Sequence, residues 1–448
     1  MESIHGFDFV RLKLDANGKL EGTQALAELK QASAGATDAV LIAHGFRNDE
    51  NDATGLYTRF LETFRQNLGR PELQARLGSR KFVVAGIYWP SKAFKEAFGG
   101  DEGSVQGLDD EPVQKELVRE QLEELQAEED LTPEQKEKLD RAIQLLDKVK
   151  GNEEAQDELV ESVLSVLDNA DLDPAEGLEN IRARPGSELL DALRTPIILS
   201  TAADDDDEGG TASVGAVHVS GDDDGETQGI GSFFGSIFGR IGQFLNLTTW
   251  YLMKNRSGIV GANGVAQVVR DLKATKKDLK IHLVGHSLGG RLMAACSKTL
   301  ANPKLQPDSV TLLQAAFSHY GFSADNGQGK EGFFRAVMKD QVVRGPLLAT
   351  YSKLDKVVGK VYAVASRLAG DNVKEIGDAK DPFGGIGRNG SQRTQESAKD
   401  VLHDVGQPYT FATARVTNLD GSADLITNHG DVTNPRITYA FAWAVAHT

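Results

Sequence analysis

The sequence predicts an α/β protein, on three observations. Residues 280–290, KIHLVGHSLGG, read as an apolar strand running into Gly285-His286-Ser287-Leu288-Gly289, with a helix-compatible run at 291–300 behind it. Residues 38–43, DAVLIA, form a second apolar strand that meets His44-Gly45-Phe46 at its end. Further short apolar runs at 81–88, 309–317 and 345–351 follow one another between polar and helix-compatible stretches, and strands alternating with helices build a sheet covered by helices.

In chain order, the N-terminus reads as a strand pair around Asn17-Gly18, a dipeptide suited to a hairpin turn. The strands at 38–43 and 81–88 come next, the second ending at Tyr88-Trp89-Pro90. A chain of 448 residues exceeds one average domain, and 40% hydrophobic content supplies a substantial core. The surplus falls between Pro90 and a helix at 264–273. Residues 94–250 therefore read as an insertion between core parts 1–93 and 251–448, and an insertion of that size between sheet elements reads as a cap.

The insertion changes character along its length. Residues 111–193 are acidic and helical, with Leu117, Val118, Leu122 and Leu125 on one helical face and Leu139, Ile143, Leu145, Leu146 and Val149 on the next. Thr132-Pro133-Glu134-Gln135 predicts a helix start, with Thr132 as cap, Pro133 in the first turn and Gln135 closing a capping box. The acidic faces read as solvated, or alternatively as a docking surface for a protein partner of unknown identity. Residues 201–227 hold Asp204 to Asp207 with Glu208 and Asp222 to Asp224 among Gly and Ser. They read as a loop, since the alternating spacing of an EF-hand is missing. Residues 230–253 place Ile230, Phe233, Phe234, Ile237, Phe238, Ile241, Phe244 and Leu245 on one helical face, opposite Gly231, Gly235 and Gly239. Phe233, Phe234, Ile237, Phe238 and Ile241 are the candidate lid or acyl-chain contacts, and an ordinary core helix is the equal alternative. A membrane span is not expected, because Arg240, Gln243 and Asn246 would sit at mid-membrane.

The chemistry begins at Ser287. A serine hydroxyl becomes a nucleophile only where it stands clear of the sheet and a histidine can take its proton, and G-x-S-x-G spacing serves that need. Gly285 and Gly289 leave room for strand and helix to approach, while the helix points its positive end at the reacting centre. Strand, G-x-S-x-G turn, helix and the upstream strand with its His-Gly turn together resemble the α/β-hydrolases, in the lipase and esterase region of that superfamily.

That resemblance implies a mostly parallel central sheet with helices on both faces, here with a large helical, acidic insertion acting as a cap. It also implies the chain order serine, acid, histidine. Beyond the acid lie His403, His429 and His447; His447 is next to the chain end, and His403 sits in a helix-like run at 395–405. His429 is the candidate base, between a strand-like run at 410–418 and an apolar helix at 436–446, with a merely solvated loop histidine as the alternative. Asp355 is the candidate acid, just past the strand at 345–351. Its competitors are Asp325 in that role, or, for Asp355 itself, a surface ion pair with Lys353 or Lys356. His44 and Gly45 resemble the family's oxyanion turn, which nominates the backbone amides of Phe46 and Leu288 as donors. His286 completes the supporting set with Gly285 and Gly289.

These residues predict a serine hydrolase that cleaves carboxylic esters, with apolar acyl esters or lipids as substrates and a transient membrane or micelle interface as the setting. The alternative is a hydrolase-like binding module with activity secondary or lost. No cofactor is expected, since metal-ligand spacing, phosphate loop and dinucleotide fingerprint are missing. With 49 basic against 66 acidic residues the net charge is −17, which argues against nucleic acid and anionic membranes as partners. A single cysteine, Cys296, allows no internal disulfide and reads as core. The N-terminal residues lack a signal-peptide pattern, which predicts a cytoplasmic protein, with signal-less export left open.

Overall fold

A computed structural model describes residues 1–92, 110–195, 235–302, 304–370 and 379–448. Among the described residues nine strands follow one another: β1 (Glu2–Ile4), β2 (Phe7–Lys13), β3 (Asp38–Ala43), β4 (Phe82–Tyr88), β5 (Lys280–His286), β6 (Ser309–Leu313), β7 (Leu347–Tyr351), β8 (Ser397–Val401) and β9 (Val416–Asp420). They form one sheet in the order β1-β2-β4-β3-β5-β6-β7-β9-β8. Only the β1–β2 pair is antiparallel. This is an α/β architecture, and its central strands are buried except for the first residues of β4 and β5, as a parallel sheet covered by helices requires.

One sheet face presents Phe7, Phe9, Val40, Ile42, Val84 and Val284 to the helices Glu50–Leu68 and Pro435–Ala446, which contribute Tyr57, Phe60, Phe64, Ile437 and Phe441 to the same buried cluster. The intervening strand residues Ala39, Leu41, Val83, Ala85 and Leu283 are buried as well, as the two-residue period demands. The helix Glu50–Leu68 starts at a capping box in which Asp49 accepts from Asn51 and Asp52 amides while Asp52 accepts from the Asp49 amide. Cys296 is buried in the helix Leu288–Leu300, where burial pushes its thiol pKa up.

The described chain packs as two compact units: Met1–Ser91, Lys254–Gly359 and Gly384–Thr448 in the first, Lys92–Met253 and Lys360–Phe383 in the second. The second unit thus takes in a segment that the sequence assigned to the core. In it the helices Glu111–Gln126, Pro133–Leu145 and Glu153–Leu164 bury Val118, Leu122, Leu125, Leu139 and Leu145. The predicted capping box is present, with Gln135 N–H donating to Thr132 Oγ1 at 3.2 Å and Thr132 N–H donating to Gln135 Oε1 at 2.8 Å. The helix Ile237–Ile259 buries Ile237, Phe238, Ile241, Phe244 and Leu245. Further along it, Tyr251 donates to the Glu176 carbonyl at 2.5 Å and Trp250 meets Tyr362 edge-on. Ile230, Phe233, Phe234 and the acidic stretch at 201–227 lie outside the described residues. No helix among the described residues is long and apolar enough to cross a membrane.

Several elements differ from expectation. The N-terminal strand pair turns at His5-Gly6, both at positive φ; Asn17-Gly18 instead closes a small turn bridged at Leu14 and Leu20. The run at 395–405 holds strand β8 at Ser397–Val401 and no helix, because backbone pairing with β9 overrides its polar composition. The strand expected at 410–418 begins at Val416, Tyr409 and Phe411 being stacked on each other at 5.1 Å instead of lying in the sheet. The helix expected at 264–273 runs Ala266–Thr275 after a π-helical turn Val260–Val265.

Candidate active site

Four of the parallel strands deliver chemistry-bearing residues at their carboxyl ends, where sheets of this kind gather functional groups. β3 leads into His44-Gly45-Phe46, β5 into Ser287, β7 into Asp355, and β9 into the loop of His429. All four segments belong to the first unit.

Ser287 sits between β5 and the helix Leu288–Leu300 with φ 56° and ψ −122°. A non-glycine residue held there stores about 1–3 kcal/mol of strain, which the surroundings must over-determine. They do so through the backbone: Ser287 N–H donates to Leu313 O at 3.0 Å, and the Ser287 carbonyl accepts from Gly290 and Ala316 at 3.0 Å each. The neighbouring glycines are required by space. A Cβ on Gly289 would collide with the carbonyl oxygens of Ala43 and His44, one on Gly285 with that of Gly289, and one on Gly45 would lie 2.7 Å from the Ser287 Cβ. The His-Gly turn and the serine turn are therefore in direct contact.

His429 Nδ1–H donates to Asp355 Oδ2 at 2.8 Å, which leaves Nε2 as the free basic nitrogen. Asp355 is fully buried, and its Oδ1 accepts from the Val358 amide at 3.0 Å, capping the helix Lys356–Leu368. The two partners are 74 residues apart in sequence. Around the histidine, the Asp431 carboxylate accepts from Thr427 N at 2.8 Å, Thr427 Oγ1 at 2.6 Å and Asn428 N at 3.3 Å. Burial alone would raise the Asp431 pKa; the bonds from Thr427 and Asn428 outweigh it and hold the pKa below the usual carboxylate range. The His429 carbonyl is held in turn, accepting from His286 Nε2 at 2.9 Å and from Gln314 Nε2 at 3.5 Å. Burial, helped by the neighbouring His429 ring, keeps the pKa of His286 well below that of a free histidine, so this ring works as a neutral brace.

The oxyanion candidates begin at the His44-Gly45 turn, which lies against Ser287. His44 is buried and its pKa is pushed down to about 4 by burial. Nδ1–H donates to the Gly45 carbonyl at 3.0 Å while Nε2 accepts from the Trp89 amide at 3.3 Å, so the neutral ring pins the turn that it begins. Its amide donates to Tyr57 Oη at 3.0 Å, and the ring stacks on Trp89 at 5.6 Å. Arg47, at φ 59°, lies over the Phe46 ring at 5.0 Å. Among the described residues neither the Phe46 amide nor the Leu288 amide donates a hydrogen bond.

The competing candidates are occupied elsewhere. Asp325 is exposed and accepts from the Gly327 and Gly329 amides of its own loop. His403 stacks on Tyr409 at 4.2 Å and meets Asp400 at 3.3 Å, and His447 bonds to the Trp443 carbonyl. Sequence reasoning missed Asp431, Gln314 and Trp89 as supports. It also missed a second Ser-His-Asp chain at the other end of the strands, where Ser309 Oγ meets His282 Nδ1 and His282 Nε2 meets Asp38 Oδ1, both at 2.8 Å. Those three side chains are fully buried and Asp38 also receives Arg80, so the chain is a structural staple that no substrate reaches. Among the described residues no group of three or more His, Cys, Asp or Glu could hold a metal ion. Searches for a matching protein family, for similar curated proteins and for similar solved structures return no match to this chain.

Proposed function

We propose that this protein is a serine hydrolase of the α/β-hydrolase type that cleaves carboxylic esters through an acyl-enzyme on Ser287. One observation carries the reading: a strained serine at the end of a central strand touches a glycine turn with an idle amide, in the same unit as a histidine whose Nδ1 proton is taken by a buried carboxylate.

In this mechanism His429 Nε2 removes the hydroxyl proton as Ser287 Oγ attacks the ester carbonyl. Asp355 keeps the proton on Nδ1 and stabilises the imidazolium. The carbonyl oxygen becomes an oxyanion, received by the Phe46 and Leu288 amides, each worth about 10²–10³ in rate in such a role. When the intermediate collapses, the alkoxide leaves with the proton from His429, and the acyl group stays on Ser287. Water, deprotonated by His429, then attacks the acyl-enzyme and releases the acid. The net charge of −17 favours a neutral acyl ester over an anionic one.

A panel of p-nitrophenyl esters of rising acyl length tests the proposal. Turnover with a burst of nitrophenolate equal to the enzyme concentration is expected. A protein that hydrolyses none of the panel and resists fluorophosphonate labelling is a binding module with a hydrolase-like core.

A further inference from the structure

We propose that the amino-terminal end of the sheet carries a second, separate binding site, for a ligand with clustered phosphate groups. An open cleft of about 350 Å³ is lined there by Arg270, Lys273, Lys277, Lys304 and Arg344, together with Gln306, Ala274 and Leu305. That volume lies within the range of small-ligand sites, roughly 300–1,000 Å³. Five cations converge on one opening, and none of its described lining residues is acidic, in a chain whose net charge is −17.

The convergence costs stability. Arg270, Lys273 and Lys277 share one face of the helix Ala266–Thr275 and its end, a spacing at which like charges repel. The negative end of the helix offsets this for Lys273 and Lys277. It explains neither Arg270 nor the arrival of Lys304 and Arg344 from two other segments. Lys304 is moreover held at φ 59°, where a side chain other than glycine is strained.

Among the described residues only two of the five charges are met internally by a carboxylate. Lys273 Nζ and Arg344 Nη1 both donate to the buried Asp308 carboxylate at 3.2 Å. Among the described residues Arg270, Lys277 and Lys304 have no carboxylate partner. Guanidinium forks beside ammonium groups match phosphate oxygens, and the described lining lacks an aromatic ring that would read a base. Several negative charges on one small ligand are what such a cluster neutralises.

The ligand is not the ester substrate. Asp308 accepts from Ile281 N at 2.9 Å, placing the cleft where β5 begins, whereas Ser287 follows its last residue. At ~3.3 Å per residue the strand separates the two by about 20 Å. Two sources present the required chemistry, a soluble polyphosphorylated compound and the headgroup of a phosphoinositide lipid.

Titration calorimetry with tripolyphosphate at low salt, and flotation with phosphatidylcholine vesicles doped with either phosphatidylinositol 4,5-bisphosphate or phosphatidylserine, test the proposal on the full chain. The variant combines Arg270→Gln, Lys277→Gln and Lys304→Gln and leaves Lys273 and Arg344 on Asp308. The native protein should bind tripolyphosphate saturably, more weakly as salt rises, and the variant should bind about tenfold or more weakly at an unchanged melting temperature. Flotation with the phosphoinositide vesicles alone assigns the lipid source, and tripolyphosphate binding without flotation assigns the soluble one. Absence of saturable binding by the native protein to both probes, or a variant that binds as tightly, overturns the site.

Discussion

Replacing Asp355 by asparagine should silence His429 while sparing the fold, because the structure dictates how the new amide points. Asp355 Oδ1 accepts from the Val358 amide at 3.0 Å and Oδ2 accepts from His429 Nδ1 at 2.8 Å. Only the oxygen of an asparagine amide can take the Val358 N–H, so its NH₂ group must face the histidine. Two donors cannot share that contact, and the imidazole responds by moving its proton to Nε2. That nitrogen is then unable to take the proton of Ser287. A wrong tautomer lowers kcat by about 10³–10⁴, or roughly 4–5.5 kcal/mol of activation free energy. The helix cap survives, so the stability cost is confined to the lost bond to the histidine, about 1–3 kcal/mol. Initial rates on a p-nitrophenyl ester, paired with thermal melts, measure both quantities. Activity within tenfold of the native protein would refute the assignment of Asp355, most directly if Asp325→Asn were inactive instead.

Three further outcomes follow from the same geometry. Ser287→Ala and His429→Ala should each cost about 10⁴-fold or more in kcat and the double variant little beyond that, since the groups act as a unit; multiplying losses would separate them. Gly45→Ala would place a Cβ 2.7 Å from the Ser287 Cβ and 3.3 Å from His286 Nδ1. Ordinary carbon contacts are about 3.5–4.0 Å, so turn or serine must move, and activity should fall ~10²-fold; unaltered kinetics would show that the turn yields freely. Finally, the folded pKa of His44 is about 4 against 6.5 for a free histidine, so below 6.5 the unfolded chain takes up a proton that the folded chain refuses until about 4. Stability contributed by keeping this ring neutral is complete above that window and is lost as pH falls through it, by up to about 1.4 kcal/mol per pH unit. Urea titrations at several pH values should show this slope in the native protein and a flatter one in His44→Phe; equal slopes would remove His44 as its source.

What the sequence revealed and what it hid divide along physical lines. β3, β4 and β5 are buried on both faces, so their continuous apolar runs stand out against any background. The strained turn at Ser287 was legible because it constrains local residue types, and the Asp355–His429 contact because Asp355 follows a strand end and the resemblance implies a histidine after that acid. β8 was misread since SAKDV is a half-exposed polar edge strand whose only strand-forming cause is β9 beside it. The braces of the site are long-range and leave no local pattern. Gln314 and His286 reach the His429 carbonyl across 115 and 143 residues, and the Asp38–His282 staple at the far end of the strands spans 244 in the same way. Likewise, nothing local distinguishes residues 360–383, whose membership of the second unit is a fact of packing. Asp431 was within reach of inspection, only two residues from His429, yet a loop carboxylate becomes a clamp only once three donors turn toward it.

The central claim is that Ser287 is an activated nucleophile, and the most direct test is to locate a covalent adduct. The native protein is treated with a fluorophosphonate, digested and mapped by peptide mass, beside Ser287→Ala and His429→Ala. Rapid modification confined to Ser287, absent in the first variant and strongly slowed in the second, is the predicted result. No adduct on the native protein, or an adduct on another serine that persists in Ser287→Ala, would contradict it.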